Sequence, residues 1–206
     1  MSKSAIKKHM EALKAIYQSS EYSDLTIKCG NDSYRVHKAI EGTEGVVTIQ
    51  ASSLPSYNED VEDPEAIKAM VHYFYRFDYL EKESNGPKRR SLSPYGGSAD
   101  PNIRFGLHAK IYALAEKYGI PGLKELALEK FSAAADYISS RDYDEFALAT
   151  SVIYSSTIEG DKGLRDVVVK TILANKSLLK HPAMEVTLTQ INGLCYELLV
   201  KKSNYY

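Results

Sequence analysis

Tryptophan is absent from this chain of 206 residues, and cysteine occurs only as Cys29 and Cys195. Two cysteines so far apart form neither a disulfide framework nor a metal knuckle, and their scarcity favours a reducing compartment. No apolar run approaches the roughly 20 residues that a membrane-spanning helix needs. The first residues also lack the continuous apolar core of a signal peptide. We therefore expect a soluble intracellular protein, located in the cytoplasm, the nucleus or both.

Sequence motifs for catalysis are missing as well. The chain has no P-loop, no dinucleotide-binding glycine pattern after a strand and no nucleophile elbow. Its five histidines are not spaced from one another or from a cysteine as zinc ligands are. Neither cysteine has the neighbouring histidine or cations that activate a thiol. We expect no enzymatic activity, no cofactor and no metal.

Charge is nearly balanced, because 26 Lys and Arg stand against 27 Asp and Glu. Direct binding to nucleic acid calls for a clustered basic surface, so we expect neither nucleic acid nor membrane as a partner. One basic run at 88–90 lies beside Ser91 and Ser93-Pro94. It is either a nuclear-import or phosphorylation patch or a solvated loop with incidental charge, and we favour the second interpretation.

An amphipathic helix is predicted near the N-terminus. Ile6, Met10, Leu13 and Tyr17 recur at helical spacing, with Lys and Glu between them. This apolar stripe either packs on its own domain or contributes to a dimer, and the sequence leaves both alternatives open.

Short strands follow. Two β-prone runs, 25–27 and 34–36, flank the turn residues 30–32, which predicts a hairpin with a loop slightly longer than the tightest type. A third strand is predicted at 45–49, where β-branched residues are frequent.

Helices make up the rest of the prediction. Asp63 and Pro64 are a good N-cap and first helical residue. The face of this helix consists of Ile67, Met70, Val71 and Phe74, completed by either Phe77 or Tyr75. Residues 84–102 are rich in Gly, Pro and Ser, which predicts a mobile loop. Further helices are predicted at 104–118, 122–131, 144–153, 163–175 and 188–201.

Three blocks in this order resemble the BTB/POZ fold. They are SDL at 23–25 with YRVHKAI at 34–40, DPEAI at 63–67 running to DY at 78–79, and LHAKIYALAEKY at 107–118 with LK at 123–124. The chain is similar to the BTB proteins of filamentous fungi, which often carry a helical tail. Because strands precede helices, the expected class is α+β: a small, mostly antiparallel sheet capped by helices, followed by an all-helical C-terminal extension.

The resemblance also implies boundaries. We expect an N-terminal amphipathic helix at 1–21, a BTB/POZ-like domain at 22–131 that contains the loop 84–102, and a helical extension at 132–206.

The function that the resemblance implies is a non-enzymatic protein–protein interaction module that self-associates, for example as a homodimer, and recruits protein partners. Many such proteins are adaptors that bring substrates to cullin-type ubiquitin ligases. The resemblance places Asp24 and Lys38 near a charged groove at a dimer interface, with His37 in the same signature. Each also has a structural interpretation: Asp24 as a turn cap, His37 as a hydrogen-bonded residue and Lys38 as a solvated one. The alternative function is a transcriptional or chromatin-associated regulator that acts through a partner.

The sequence departs from the family after Ile40. A helix normally follows the His-Lys signature, but Ile40 here runs directly into Glu41 and the approach to the third strand. Two explanations stay open: a splice variant or misplaced exon boundary at this junction, which we favour, or true divergence. Much of the family's cullin contact lies on that helix, so we expect weak or no cullin binding.

Overall fold

The computed structural model describes residues 3–38, 46–49, 63–79 and 104–203. The chain divides into two compact units, Met1–Lys82 and Glu83–Tyr206. The architecture is mostly helical with a small sheet, which is compatible with the expected α+β class, whereas the BTB/POZ-like arrangement stays a prediction. The domain boundaries at 21/22 and 131/132 stay predictions. The junction at Ile40, the basic run at 88–90 and the loop 84–102 lie outside the described residues.

The first unit holds the sheet and two helices. Its elements are α1 (Lys3–Ser19), β1 (Leu25–Cys29), β2 (Asp32–Val36), β3 (Val46–Ile49) and α2 (Pro64–Arg76). The predicted N-terminal helix and all three predicted strands are therefore confirmed.

The hairpin loop is tighter than the sequence predicts. Cys29 pairs with Asp32, so the loop contains just Gly30 and Asn31. Gly30 has a left-handed φ of 55°, and glycine adopts this conformation without a steric penalty. The prediction of a longer loop was wrong because Asp32, a typical turn residue, belongs to the strand.

Strand pairing also departs from the mostly antiparallel sheet that we expected. The strand order is β2-β1-β3, in which β1 is antiparallel to β2 and parallel to β3. The third strand does not continue the hairpin beside β2 but joins the opposite edge of β1. The described sheet therefore has one pair of each kind.

Helix α2 begins as the sequence predicts. Asp63 Oδ1 accepts a hydrogen bond of 2.8 Å from the Ala66 backbone nitrogen, and Pro64 is the first helical residue. The structure also decides which aromatic residue completes the buried face. Tyr75 is fully buried, whereas Phe77 lies past the end of the helix with 54% of its surface exposed.

The second unit is helical where it is described. Its elements are α3 (Phe105–Lys117), α4 (Pro121–Asp136), a 3-10 turn (Ser140–Asp142), α5 (Tyr143–Ser156), α6 (Gly163–Ala174), a second 3-10 turn (Leu178–Lys180), α7 (Pro182–Gln190) and α8 (Asn192–Ser203). Three buried rings join α3, α4 and α5, because Phe105 lies edge-on to Phe131 at 5.1 Å and to Phe146 at 5.2 Å.

The end of the chain contains two helices where the sequence predicts one at 188–201. Helix α7 starts at Pro182, six residues before the predicted start, and Ile191 leaves the helical conformation with ψ of 83°. Asn192 and Gly193, which follow, have low helix propensity. Helix α7 therefore ends at Gln190, and α8 starts as a separate helix at Asn192.

A polar cluster holds the loop that precedes α6. Asp161 accepts a hydrogen bond of 2.7 Å from the Tyr112 hydroxyl and lies 2.9 Å from the Lys124 ammonium, which also donates to Glu116 at 2.6 Å. Burial opposes the charge on Lys124, but its hydrogen bonds to Glu116 and Asp161 outweigh this and raise its pKa. Burial and the bond to Asp161 raise the pKa of Tyr112 to about 12. The cluster therefore stays intact at neutral pH.

Candidate interaction surface

Asp24 closes the open end of the β1–β2 hairpin. Its backbone nitrogen donates to the Val36 carbonyl at 3.2 Å, and its Oδ1 accepts a hydrogen bond of 2.8 Å from the backbone nitrogen of Lys38. The predicted residues Asp24 and Lys38 are thus brought together, but through the main chain of Lys38. This arrangement matches the structural interpretation of Asp24 as a cap.

His37 links three parts of the first unit. Its backbone nitrogen and its Nδ1 each lie 2.9 Å from the Tyr75 hydroxyl, and its Nε2 lies 2.7 Å from the Glu21 carbonyl oxygen. A carbonyl only accepts, so Nε2 carries the proton and Nδ1 accepts from the hydroxyl. The hydroxyl in turn accepts from the His37 backbone N–H.

Both ring nitrogens of His37 are therefore occupied within the fold. His37 is 9% exposed and Tyr75 is fully buried, so the pair ties β2 to α2 and to the segment after α1. Sequence reasoning missed Tyr75 as the partner of His37. The only signal was the aromatic residue in the buried face of α2, which does not say where its hydroxyl goes.

Helix α1 docks on α2 through an aromatic contact. Tyr17 stacks on Tyr75 with ring centroids 4.7 Å apart and meets the ring of His72 edge-on at 5.8 Å. Offset-stacked and edge-on rings are the favoured geometries for aromatic pairs. The C-terminal half of α1 is thereby fixed against α2.

The apolar stripe of α1 is accessible to solvent over most of the helix. None of the residues 4–19 is buried, and Met10, Leu13 and Tyr17 are half-buried. Ile6 is 46% exposed and Ile16 is 38% exposed. Helix α1 thus has five large apolar side chains, and none of them is buried. This is unusual, because the apolar face of a surface helix normally packs on a core.

A groove of about 410 Å³ lies between the N-terminal half of α1 and the end of α2, lined by Ile6, His9, Met10 and Phe77. Phe77 has a left-handed φ of 54°, which is strained for a bulky residue. Backbone strain of this kind costs about 1–3 kcal/mol. This backbone conformation places the Phe77 ring against the groove instead of in the core.

The polar side of α1 is basic. The helix contains four lysines and one glutamate, which leaves a charge of about +3 when His9 is neutral. Lys7 lies 3.9 Å from Glu11, and both side chains are exposed. Such exposed pairs contribute little, at about 0.3–0.5 kcal/mol.

The comparison with known proteins found a distant likeness. No protein-family model matches the chain. It is 25% identical over 115 residues to "BTB/POZ and MATH domain-containing protein 4" from Arabidopsis thaliana, a match that covers 52% of this chain and 23% of that protein. The chain thus spans about a quarter of the length of this relative. The match points to a BTB-like relationship, whereas the fungal affinity and the helix missing after Ile40 stay predictions.

Other kinds of site are not found in the part of the chain that the structure describes. Within 3–38, 63–79 and 104–203 no group of three His, Cys, Asp or Glu side chains could hold a metal ion. None of the helices in the described segments is long and apolar enough to span a membrane. Cys29 is buried and Cys195 is half-buried, and both are free thiols. The α1–α2 surface is the candidate site because its groove is lined by Ile6, Met10 and Phe77.

Proposed function

We propose that the chain is a non-enzymatic protein–protein interaction module that self-associates through the α1–α2 surface and recruits a second protein through its helical extension. The observation that carries this proposal is the apolar groove on the first unit, with Ile6 and Phe77 each about half exposed. Exposed apolar surface with a polar rim is typical of interaction sites. The BTB-like relationship supports the same class of function.

The occupant that we assign to this surface is a second copy of the chain. The BTB/POZ resemblance implies a dimer interface near Asp24 and Lys38, and the neighbouring His37 is tied by Tyr75 to the helix that forms the groove. A two-fold axis would place the same patch of each copy in contact, as in most homodimers.

Light scattering after size exclusion tests this proposal. The wild-type chain is expected to have twice the mass of one chain at tens of micromolar. The double variant Ile6→Asp/Phe77→Asp places two charges in the interface and is expected to be monomeric. Ile158→Asp is the matched control, because Ile158 is 73% exposed in the second unit, and it should leave the mass unchanged.

Two results would contradict self-association at this site. One is a monomeric wild-type chain across the concentration range, and the other is a double variant that still dimerises. Circular dichroism and a thermal melt of each variant exclude unfolding as the cause of a lost dimer.

Recruitment to a cullin-type ubiquitin ligase is the specific role that the resemblance implies, and we expect it to be weak or absent because of the departure after Ile40. A pull-down in which the purified chain binds a cullin strongly would prove this expectation wrong. The second candidate function is a transcriptional or chromatin-associated regulator that acts through a partner. Nuclear localisation that depends on the basic run at 88–90 would favour it over a cytoplasmic adaptor.

A further inference from the structure

Helix α8 is anchored to the second unit along one side. Leu194 is fully buried. Glu197 accepts a hydrogen bond of 2.6 Å from the Lys162 ammonium and one of 2.5 Å from the Tyr154 hydroxyl. Lys201, one turn further on, lies 3.4 Å from Asp166. These contacts fix the rotation of α8 about its own axis.

A buried arginine packs against Tyr154, which donates to Glu197. Arg165, which is 6% exposed, stacks on the Tyr154 ring at 4.4 Å and donates to the Thr157 carbonyl at 2.7 Å. Burial opposes ionisation of Glu197, but the hydrogen bonds from Lys162 and Tyr154 outweigh this and lower its pKa. The Glu197 carboxylate is therefore charged at neutral pH and keeps its contacts with Lys162 and Tyr154.

The opposite face of α8 is apolar and exposed. Tyr196 is 70% exposed, Leu199 is 68% exposed and Val200 is 40% exposed. At about 100° per residue, Tyr196 and Leu199 lie within about 40° of the direction opposite Leu194. Their spacing of i, i+3 and i+4 gives one continuous row. A helix held this firmly presents that row in a fixed orientation, which reduces the entropy lost on binding.

We infer that this face of α8 binds an acidic amphipathic helix of a partner protein. The inference rests on the proposed function in one respect, because it names the partner chemistry that the helical extension recruits. Helices dock on apolar surfaces through residues spaced i, i+3, i+4 and i+7, and the row on α8 has the first three of these positions.

Size argues for a helix rather than a second copy. The row consists of three side chains on little more than one turn, whereas a stable interface between two folded domains takes about 20–30 residues from each. One apolar helix face of two to three turns covers the row without requiring more surface.

Charge argues for an acidic helix. The one acidic residue of α8, Glu197, lies on the anchored side and is bound by Lys162 and Tyr154. Lys202 is exposed and lies about 60° around the helix from Leu199, at the edge of the row. Lys201 lies on the anchored side with Asp166, so Lys202 is the lysine of α8 that borders the row. The positive charge beside the row favours carboxylates at the rim of the partner helix.

Fluorescence anisotropy with two synthetic probes tests the inference. Both are labelled 18-residue helical peptides with leucine at i, i+3, i+4 and i+7, and their remaining positions are rich in glutamate in one and in lysine in the other. The chain of 206 residues is expected to bind the acidic probe at least tenfold more tightly than the basic one. Leu199→Asp should weaken the acidic probe at least tenfold, and Lys202→Glu severalfold.

Controls separate this site from folding and from the first unit. Ile158→Asp should bind the acidic probe as the wild-type chain does. Leu199→Ser keeps the helix without adding charge and replaces Leu199→Asp if that variant loses its thermal transition. The double variant Ile6→Asp/Phe77→Asp should keep the acidic probe, so a failure of self-association and a failure at α8 are distinguishable.

Several outcomes would overturn the inference. They are no binding of the acidic probe, equal binding of both probes, or binding that survives both Leu199 variants. Loss of the dimer in Leu199→Asp would also overturn the inference, because the occupant of this face would then be a second copy of the chain. Binding to phosphatidylserine vesicles that Leu199→Asp removes, without binding of the acidic probe, would assign the face to a membrane instead.

Discussion

The Tyr75 hydroxyl lies 2.9 Å from the backbone nitrogen of His37 and 2.9 Å from its Nδ1. It accepts from the first and donates to the second, so one hydroxyl satisfies two buried polar groups of the same residue. His37 Nε2 then reaches the Glu21 carbonyl at 2.7 Å. His37 therefore connects β2 to α2 and to the segment after α1.

Removal of that hydroxyl should destabilise the first unit. Tyr75→Phe keeps the buried ring but leaves the backbone N–H and Nδ1 of His37 without this partner. An unsatisfied buried polar group costs about 1–3 kcal/mol, so we expect the free energy of unfolding in urea to fall by about 2 kcal/mol. Tyr22→Phe is the matched control, since Tyr22 is 85% exposed, and should change it by less than about 0.5 kcal/mol. An unchanged midpoint for Tyr75→Phe would show that His37 is satisfied in another way.

Local features of this fold could be predicted from the sequence because their chemistry is local. The cap at Asp63 and the first residue Pro64 are three residues or fewer from the groups that they serve. The stripe of α1 follows from helical spacing. The end of the hairpin was harder, because Asp32 suits both a turn and a strand and only its pairing with Cys29 decides.

Contacts between distant residues could not be predicted in this way. His37 and Tyr75 are 38 positions apart, and nothing in the spacing of either element tells that their polar groups meet. The left-handed conformation of Phe77 could not be predicted from the sequence either, because most bulky residues avoid it. The candidate site depends on both, so the sequence identified its signature residues but not the groove beside them.

Gly163 should be intolerant of even a methyl group. A Cβ at this position would overlap the Tyr112 hydroxyl and lie 3.1 Å from its Cζ, so the ring would have to leave Asp161. Overpacking of this kind costs about 1–3 kcal/mol, and we expect Gly163→Ala to lower the free energy of unfolding by that amount.

Gly106→Ala provides the control for Gly163→Ala. Gly106 lies in α3, and a Cβ there would meet nothing within 4 Å. Replacement of a helical glycine by alanine favours the helix by about 0.5–1 kcal/mol, so this variant should be as stable as the wild-type chain or more so. Equal losses for both variants would mean that Tyr112 does not limit the space at Gly163.

Acid should destabilise the second unit through His108. This side chain is 1% exposed, and burial, followed by the charges of Lys130 and Arg104, lowers its pKa from 6.5 to about 4. The unfolded chain then binds a proton at a higher pH than the folded chain does. Stability from this residue is full above pH 6.5 and is lost as the pH falls toward 4.

Urea unfolding at pH 7 and pH 5 measures this effect. The contribution of His108 should fall by about 2 kcal/mol between them. His108→Gln cannot titrate, so its loss between the two pH values should be smaller than that of the wild-type chain by the same amount. Other groups that titrate in this range affect both proteins alike. An identical pH dependence would show that His108 accepts a proton in the folded state.

Self-association through the α1–α2 surface should strengthen with salt. Helix α1 carries four lysines and one glutamate, so a two-fold contact between α1 helices brings like charges together. Screening becomes effective over about 10 Å at 0.1 M salt, and we expect the dimer dissociation constant from sedimentation to fall about threefold between 0.05 and 0.3 M NaCl. Lys8→Gln/Lys14→Gln should tighten the dimer at low salt and flatten its salt dependence, because both side chains are exposed. A dimer that weakens with salt would instead mean that α1 meets an acidic surface of the other copy.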